Sequence, residues 1–225
     1  MWQNATWKAG FYSQQVESCD VLREYSSTFN TVEGNTSFYA IPSVKNIQQW
    51  DEQTPRDFSF VFKLPKTITH EHRLLDCNSL CSEFFTRMAP LRSKMGPVMI
   101  QLPASFCGKN IQQLEKFIRQ LSMEYSYAIE LRHGDFFHGD AESRVIDILN
   151  KYRIDKVNFD SRALFSSTSE DNFTLEAKNK KPQLPVNLLA TGSYPIIRFI
   201  GHEVLSENDK YFDQCSQAIN SWMEQ

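Results

Sequence analysis

Apolar positions along this chain follow two alternating rhythms. Six short runs are mostly apolar on both faces: Phe29–Asn35 (FNTVEGN), Phe58–Lys63 (FSFVFK), Pro97–Leu102 (PVMIQL), Tyr127–Arg132 (YAIELR), Lys156–Asp160 (KVNFD) and Pro195–Ile200 (PIIRFI). Strands buried in a parallel sheet have this pattern. Between them, apolar residues recur at helical spacing. Val16, Cys19, Leu22 and Tyr25 share one predicted face, and Val44, Ile47 and Trp50 share another behind a Ser43 cap. Three more stripes follow: Leu114, Phe117, Ile118 and Leu121; Val145, Ile148, Leu149 and Tyr152; Tyr211, Cys215, Ala218 and Trp222. Strand–helix alternation of this kind predicts one parallel sheet with right-handed crossovers, in a single domain over residues 1–225. An open nucleotide-binding sheet would carry a glycine-rich first turn. The chain has only 8 glycines and neither GxGxxG nor GxxxxGK[ST]. The expected fold is therefore α/β, a TIM-type (β/α) barrel.

The ends of the runs carry the chemistry. From Glu33, the polar end residues fall at Lys63, Gln101, Glu130, Asp160 and Arg198, in steps of 30, 38, 29, 30 and 38 residues. A βα unit of about 30 residues explains the rhythm, and in a barrel these ends share the C-terminal rim where active sites lie. Residues two apart in a strand face the same way, which groups Glu33 with Asn35, Glu130 with Arg132, and Asp160 with Arg162. Three carboxylates (Glu33, Glu130, Asp160) then face four cations (Lys63, Arg132, Arg162, Arg198). A multi-metal hydrolase would show carboxylates and histidines without so many cations. A slightly cationic rim suits a phosphate or carboxylate, with carboxylates left for acid–base work.

Composition narrows the partners. With 24 basic and 27 acidic residues the net charge is −3, so no global field draws the protein to nucleic acid or membrane. No apolar run reaches the roughly 18–20 residues of a membrane helix, and residues 1–7 carry no signal-peptide pattern. Five scattered cysteines, an odd number, fit reduced thiols in the cytoplasm. Cys77 and Cys81 continue a stripe with Phe84 and Met88, and are expected to be buried on one helix face rather than to bind zinc. His70, in KLPKTITH, can act as an acid, base or ligand contact, whereas His133 points away from the Glu130–Arg132 face. Tyr39 sits where it can stack on a ligand or donate its hydroxyl. The polar stretch Ala163–Asn187 is expected to be a solvated loop or a lid.

Taken in order, FNTVEGNTSFYAIPS, Trp50, FSFVFKLPKTITH, QLPASF, ELRH, Asp160-Ser161-Arg162 and RFIG make the chain resemble the domain-of-unknown-function 72 family, in its YecE-like bacterial branch. The resemblance spans nearly the whole chain. It implies a TIM-barrel-like fold and a polar pocket lined by Glu33, Asn35, Tyr39, Lys63, Gln101, Glu130, Arg132, Asp160 and Arg198, but no reaction. It also implies a first strand of which Trp2 is the tail and a last strand and helix after the position of Gln225, so the barrel is expected to be clipped at both ends.

Three functions stay open. In the first, an enzyme without metal or other cofactor acts on a small anionic compound: Arg132, Arg162 and Arg198 hold the anion, Glu130, Asp160 or Glu33 moves protons, and Lys63 stabilises charge. Asn35, Tyr39, His70 and Gln101 complete its contacts. In the second, a divalent-metal phosphodiesterase uses the cations on a nucleic-acid backbone, the less favoured partner. The third is a ligand-binding or adaptor protein without turnover. Clustered carboxylates and histidines would favour the second; a rim filled by its own ion pairs would favour the third.

Overall fold

Four- to six-residue strands and helices alternate in the computed structural model, which describes residues 2, 7, 10–13, 17, 20–202 and 204–224. Tertiary contacts divide the chain into two units, Met1–Ile100 with Ser122–Tyr127, and Gln101–Leu121 with Ala128–Gln225. In chain order the first carries α1 (Val21–Thr28), β1 (Thr31–Gly34), the one-turn α2 (Thr36–Tyr39), α3 (Val44–Gln53), β2 (Ser59–Phe62) and α4 (Asn78–Met88). β3 (Val98–Gln101) ends at the first residue of the second unit. There follow α5 (Ile111–Ile118), β4 (Tyr127–Glu130), α6 (Gly139–Tyr152), β5 (Asp155–Asp160), α7 (Arg162–Ser166), α8 (Asn172–Lys180), β6 (Ile196–Phe199) and α9 (Asp209–Met223). All six predicted strands are present.

In the first unit, β1 and β2 pair in parallel, Thr31 against Ser59 through Gly34 against Phe62. Gly34 is required there: a Cβ would lie 2.6 Å from the Phe62 ring. Phe58, Phe60 and Phe62 are at most 1% exposed, and Trp2 and Trp50 pack around Phe60 at 6.2 and 6.3 Å. Burial of each such ring contributes about 1.5–3 kcal/mol. Trp2 lies in a turn rather than at the end of a strand, and Met1 is outside the described residues. Ser43 caps α3 as expected, its Oγ accepting from the Asn46 N–H at 3.2 Å. On α1, Leu22 and Tyr25 are buried, while Val16 and Cys19 lie outside the described residues.

The predicted continuous barrel is not what these strands form. β1 and β2 make a two-stranded sheet, and β2 meets the β3 segment only through the isolated bridges Phe60–Met95 and Lys63–Met99. Pro97, between Met95 and Val98, has no N–H to continue a ladder. Among the described residues there is no closed barrel; the fold is mixed α/β with parallel sheets.

In the second unit, β4–β5 and β5–β6 pair in parallel. All six β5 residues are buried, whereas β6 is half-exposed. The segment 187–194 has no regular structure, yet β5 side chains and backbone lace it down. Asn158 Nδ2 donates to the Leu189 carbonyl at 2.9 Å while its Oδ1 accepts from the Leu189 N–H at 2.9 Å. The Lys156 N–H donates to Thr191 Oγ1 at 2.8 Å, and the Tyr194 N–H to Asp155 Oδ2 at 3.0 Å. Gly192 lies so close that a Cβ would sit 2.7 Å from the Asp155 carboxyl.

Two further expectations change. The predicted loop Ala163–Asn187 contains most of α7 and all of α8, because Asp171 Oδ1 accepts from the Thr174 N–H at 3.0 Å and caps a helix there. Within it Lys178 donates to the Ser167 carbonyl at 2.6 Å, and Lys180 pairs with Glu176. Cys77 precedes α4 at its N-cap, its Sγ–H donating to the Leu75 carbonyl at 3.1 Å, so it shares no helix face with the half-buried Cys81. Among the described cysteines, Cys77, Cys81, Cys107 and Cys215 are free thiols. Burial, with Cys77 adding to it, pushes the Cys81 thiol up to about 12.

Candidate functional site

The predicted rim residues form pairs and forks within each unit. In the first, Lys63 Nζ lies 3.0 Å from Glu33 Oε1 and 5.9 Å from the centre of the Phe38 ring. Its backbone is held by Ser37: the Lys63 N–H donates to Ser37 Oγ at 3.1 Å, and that hydroxyl donates to the Lys63 carbonyl at 2.8 Å. His70 meets Phe38 edge-on at 5.1 Å, and its Nδ1 is 2.8 Å from Thr69 Oγ1. It rides on a π-helical turn, Thr67–Glu71, followed by positive φ at Arg73 (50°), Leu74 (68°) and Asp76 (50°). Wide turns and left-handed non-glycine residues are costly local geometry that gathers at functional sites.

Asn35 does not share the Glu33 face by strand alternation. β1 stops at Gly34, and Asn35 takes helical angles (φ −81°, ψ −14°) as the cap of α2. Tyr39, at the other end of that turn, is 72% exposed.

In the second unit Glu130 is fully buried at the end of β4 and faces two guanidiniums. Arg132 Nε lies 3.0 Å from Glu130 Oε1 without the alignment of a hydrogen bond, and Arg198 Nη1 donates to Glu130 Oε2. Both guanidiniums flank the Phe159 ring, at 5.9 and 5.5 Å from its centre. Burial pulls the Arg132 pKa down; Glu130 opposes this and Arg198 adds to it. The arginine side chains keep 16% and 13% exposure, so solvent meets them and not the carboxylate behind. Gln101, buried at the end of β3, neighbours this strand end: the next residue, Leu102, donates its N–H to the Glu130 carbonyl at 3.1 Å.

Asp160, also fully buried, is held mainly by Arg162. Its Oδ1 accepts from the Arg162 backbone N–H and Nε, both at 3.0 Å, and its Oδ2 from Arg162 Nη2 at 2.7 Å. The Cys215 thiol, 3.6 Å from Oδ2, is pushed up to about 11 by burial and the adjacent carboxylate. Hydrogen bonding to Asp160 raises Arg162, which also donates to Gln214 Oε1 at 2.7 Å and stands 5.0 Å from the Tyr211 ring. The pairing matches the expectation, but its cause differs: Arg162 is the first residue of α7 and turns back over Asp160 from a helix.

Register also separates Arg198 from Asp160. In the parallel β5–β6 ladder Arg198 lies opposite Phe159, and Asp160 opposite Phe199. Alternation therefore puts Arg198 on the Phe159 side of the pleat. Phe159 is the residue that sequence reasoning missed, and its only signal was this one-residue offset. His133 is local, accepting from the Asp135 N–H at 3.1 Å. Among the described residues no three His, Cys, Asp or Glu side chains group as metal ligands. No described helix is long and apolar enough to cross a membrane.

Parallel strands ending in buried carboxylates, each held by arginine, define a class of α/β protein whose strand ends are built around ion pairs. All of residues 1–225 match the family model described as "Protein of unknown function DUF72", and the chain belongs to that family. It is 38% identical over 202 residues to the UPF0759 protein YecE of Escherichia coli K12, covering 89% of this chain and 74% of that protein. The UPF0759 protein YunF of Bacillus subtilis 168 is 28% identical over 133 residues, 56% of this chain and 47% of that one. A solved DUF72 family protein of Thermotoga maritima MSB8 superposes with a TM-score of 0.73 at 21% identity, over 97% of this chain and 83% of that chain. A second, from Enterococcus faecalis V583, gives 0.65 at 22% identity; this chain covers just under two thirds (65%) of it, with 82% of its own length aligned. These structural likenesses support the fold.

Proposed function

We propose that this protein binds a small anionic ligand, bearing a phosphate or carboxylate, at Arg132 and Arg198. The observation behind this reading is the convergence, among the described residues, of two guanidiniums on one buried carboxylate beside the Phe159 ring. Arg132 faces Glu130 through Nε and keeps 16% of its side chain exposed, which leaves guanidinium donors for an entering oxyanion. Glu130 acts here as the counter-charge that positions both arginines. Any proton transfer falls to Glu130 rather than Asp160, because the hydrogen bonds of Asp160 are taken up by Arg162 and Cys215. Gln101, in the same unit, is the further contact proposed there; Glu33, Asn35, Tyr39, Lys63 and His70 are candidate contacts within the first unit. The metal-dependent reading has no grouped donor set behind it among the described residues.

The self-paired Asp160–Arg162 fork supports the third reading, a binding protein without turnover. The strand–helix order with parallel pairing supports a (β/α)-barrel type of architecture, and the free thiols support a reducing, cytoplasmic setting. Calorimetry with phosphate, sulfate and small carboxylates tests the binding claim. Arg198→Ala is expected to weaken it by about 1.5–3 kcal/mol, while Arg198→Lys, which keeps a counter-charge for Glu130, retains part of it. No binding by any of these anions, or equal binding by Arg198→Ala, overturns the proposal.

A further inference from the structure

The chain between Ser161 and Pro182 is an excursion with a closed base. Ser161 Oγ donates to the Pro182 carbonyl at 2.8 Å, so the segment leaves and returns beside the C-terminal end of β5. Its two helices are held very differently. α7 buries Ala163 and Leu164, and Arg162 ties its first turn to Asp160. α8 buries only Thr174 among its nine residues, whereas α6 buries Val145, Ile148 and Leu149. Phe173 and Leu175 on α8 instead face solvent, 80% and 43% exposed. A helix with so little burial opens at small free-energy cost. Residues 167–170 before it have no helix or strand, and Lys178 Nζ latches it in place by donating to the Ser167 carbonyl at 2.6 Å.

The root of this excursion gives the exposed pair an occupant. β4, β5 and β6 run parallel, so Glu130, Phe159 and Arg198 stand toward the same, C-terminal ends of their strands. Phe159 lies two residues before Ser161, where the excursion is rooted. Strands about 4.8 Å apart place β4 and β6 about 10 Å from each other across β5. Nine helical residues span about 13 Å, enough for α8 to cover both strand ends. Arg132 and Arg198 keep 16% and 13% of their side chains exposed. An apolar cover laid over them excludes water and strengthens their attraction for a bound anion. Long excursions after barrel-type strands serve this purpose elsewhere.

We propose that α8 is a lid, swinging on residues 167–171 and 181–182 to lay Phe173 and Leu175 over Arg132 and Arg198 when an anion binds there. The lid rests on the anion reading of that site, and two measurements on the full 225-residue chain separate them. Calorimetry with inorganic phosphate, sulfate and acetate reads binding. Hydrogen exchange of residues 171–181, with and without the anion that binds, reads closure. That anion is expected to slow the α8 amides at least about fivefold and to leave those of α6 unchanged. Phe173→Ala with Leu175→Ala changes only solvent-facing positions of the open lid, so the fold is expected to stay intact. The double variant is expected to bind about three- to tenfold more weakly and to lose the slowing. Binding with α8 exchange unchanged, or equal binding by the double variant, overturns the lid and leaves the anion site standing. No binding by any of the three anions overturns both. Slowing that follows protein concentration rather than anion assigns Phe173 and Leu175 to a contact between copies, and also overturns the lid.

Discussion

The two units solve the same problem, a carboxylate at the end of a strand, in different ways. In the first, Glu33 keeps a quarter of its side-chain surface in water and meets an ammonium, that of Lys63. In the second, Glu130 and Asp160 are fully buried and are met by guanidiniums, two around Glu130 and a fork from Arg162 on Asp160. An ammonium is a point charge that suits a carboxylate still partly hydrated. A carboxylate that has lost all its water needs several directed donors at once, which the planar guanidinium supplies. Cation type follows burial, and the energetic consequences should follow it too.

The largest effect is expected at Asp160. Arg162→Ala strands a fully buried carboxylate and should cost about 3 kcal/mol or more in denaturant unfolding, with Arg162→Lys recovering only part. Equal stability of Lys and Arg at this position would break the comparison.

Next comes a buried carboxylate that has no arginine. Asp155, 1% exposed at the start of β5, has one aligned hydrogen bond, from the Tyr194 N–H to Oδ2, while Oδ1 has none. Burial raises its pKa from 3.8 to about 6. The sign follows from the folded value exceeding the unfolded one: the folded state binds the extra proton. The contribution is most favourable below about pH 4 and is lost as pH rises through about 6. Asp155→Asn should remove that pH dependence and stabilise the protein at pH 8 by up to about 2–3 kcal/mol, measured as chemical unfolding across pH 4–8. A stability difference from the parent that stays constant over that range would reject the assignment.

The smallest effect belongs to the half-hydrated pair. Glu33→Gln should cost about 1–2 kcal/mol, and Glu33→Gln with Lys63→Met should recover most of it, since the double variant no longer buries an ammonium beside a neutral amide. A double-mutant cycle with no coupling would show that the pair contributes nothing.

Much of this was legible in the chain. Apolar runs located all six strands to within about two residues, and the Ser43 cap marked the start of α3. The carboxylate–arginine partners of Glu130 and Asp160 were legible as well, though partly for the wrong reason. Period-two spacing suggested Asp160–Arg162, yet Arg162 is helical and returns to the carboxylate from the first turn of α7. Asn35 failed the same rule because β1 ends one residue earlier. α8 was read as loop because its apolar face is weak; Phe173 is 80% exposed, and the helix rests on the Asp171 cap. Asp155 was invisible for another reason. A polar residue opening a strand reads as solvated, and only the return of residues 187–194 across β5 buries it. Phe159 required the register of two strands distant in sequence.

That returning segment also bears on the timescale of motion. Lacking helix or strand, residues 187–194 would ordinarily trade their amide hydrogens with solvent as fast as any surface coil. The Leu189 and Tyr194 amides instead donate to Asn158 and Asp155, side chains rooted in a strand whose six residues are all buried. Their exchange is therefore tied to opening of β5 rather than to local fraying. A stretch of irregular backbone thus takes its exchange behaviour from the buried strand that holds it.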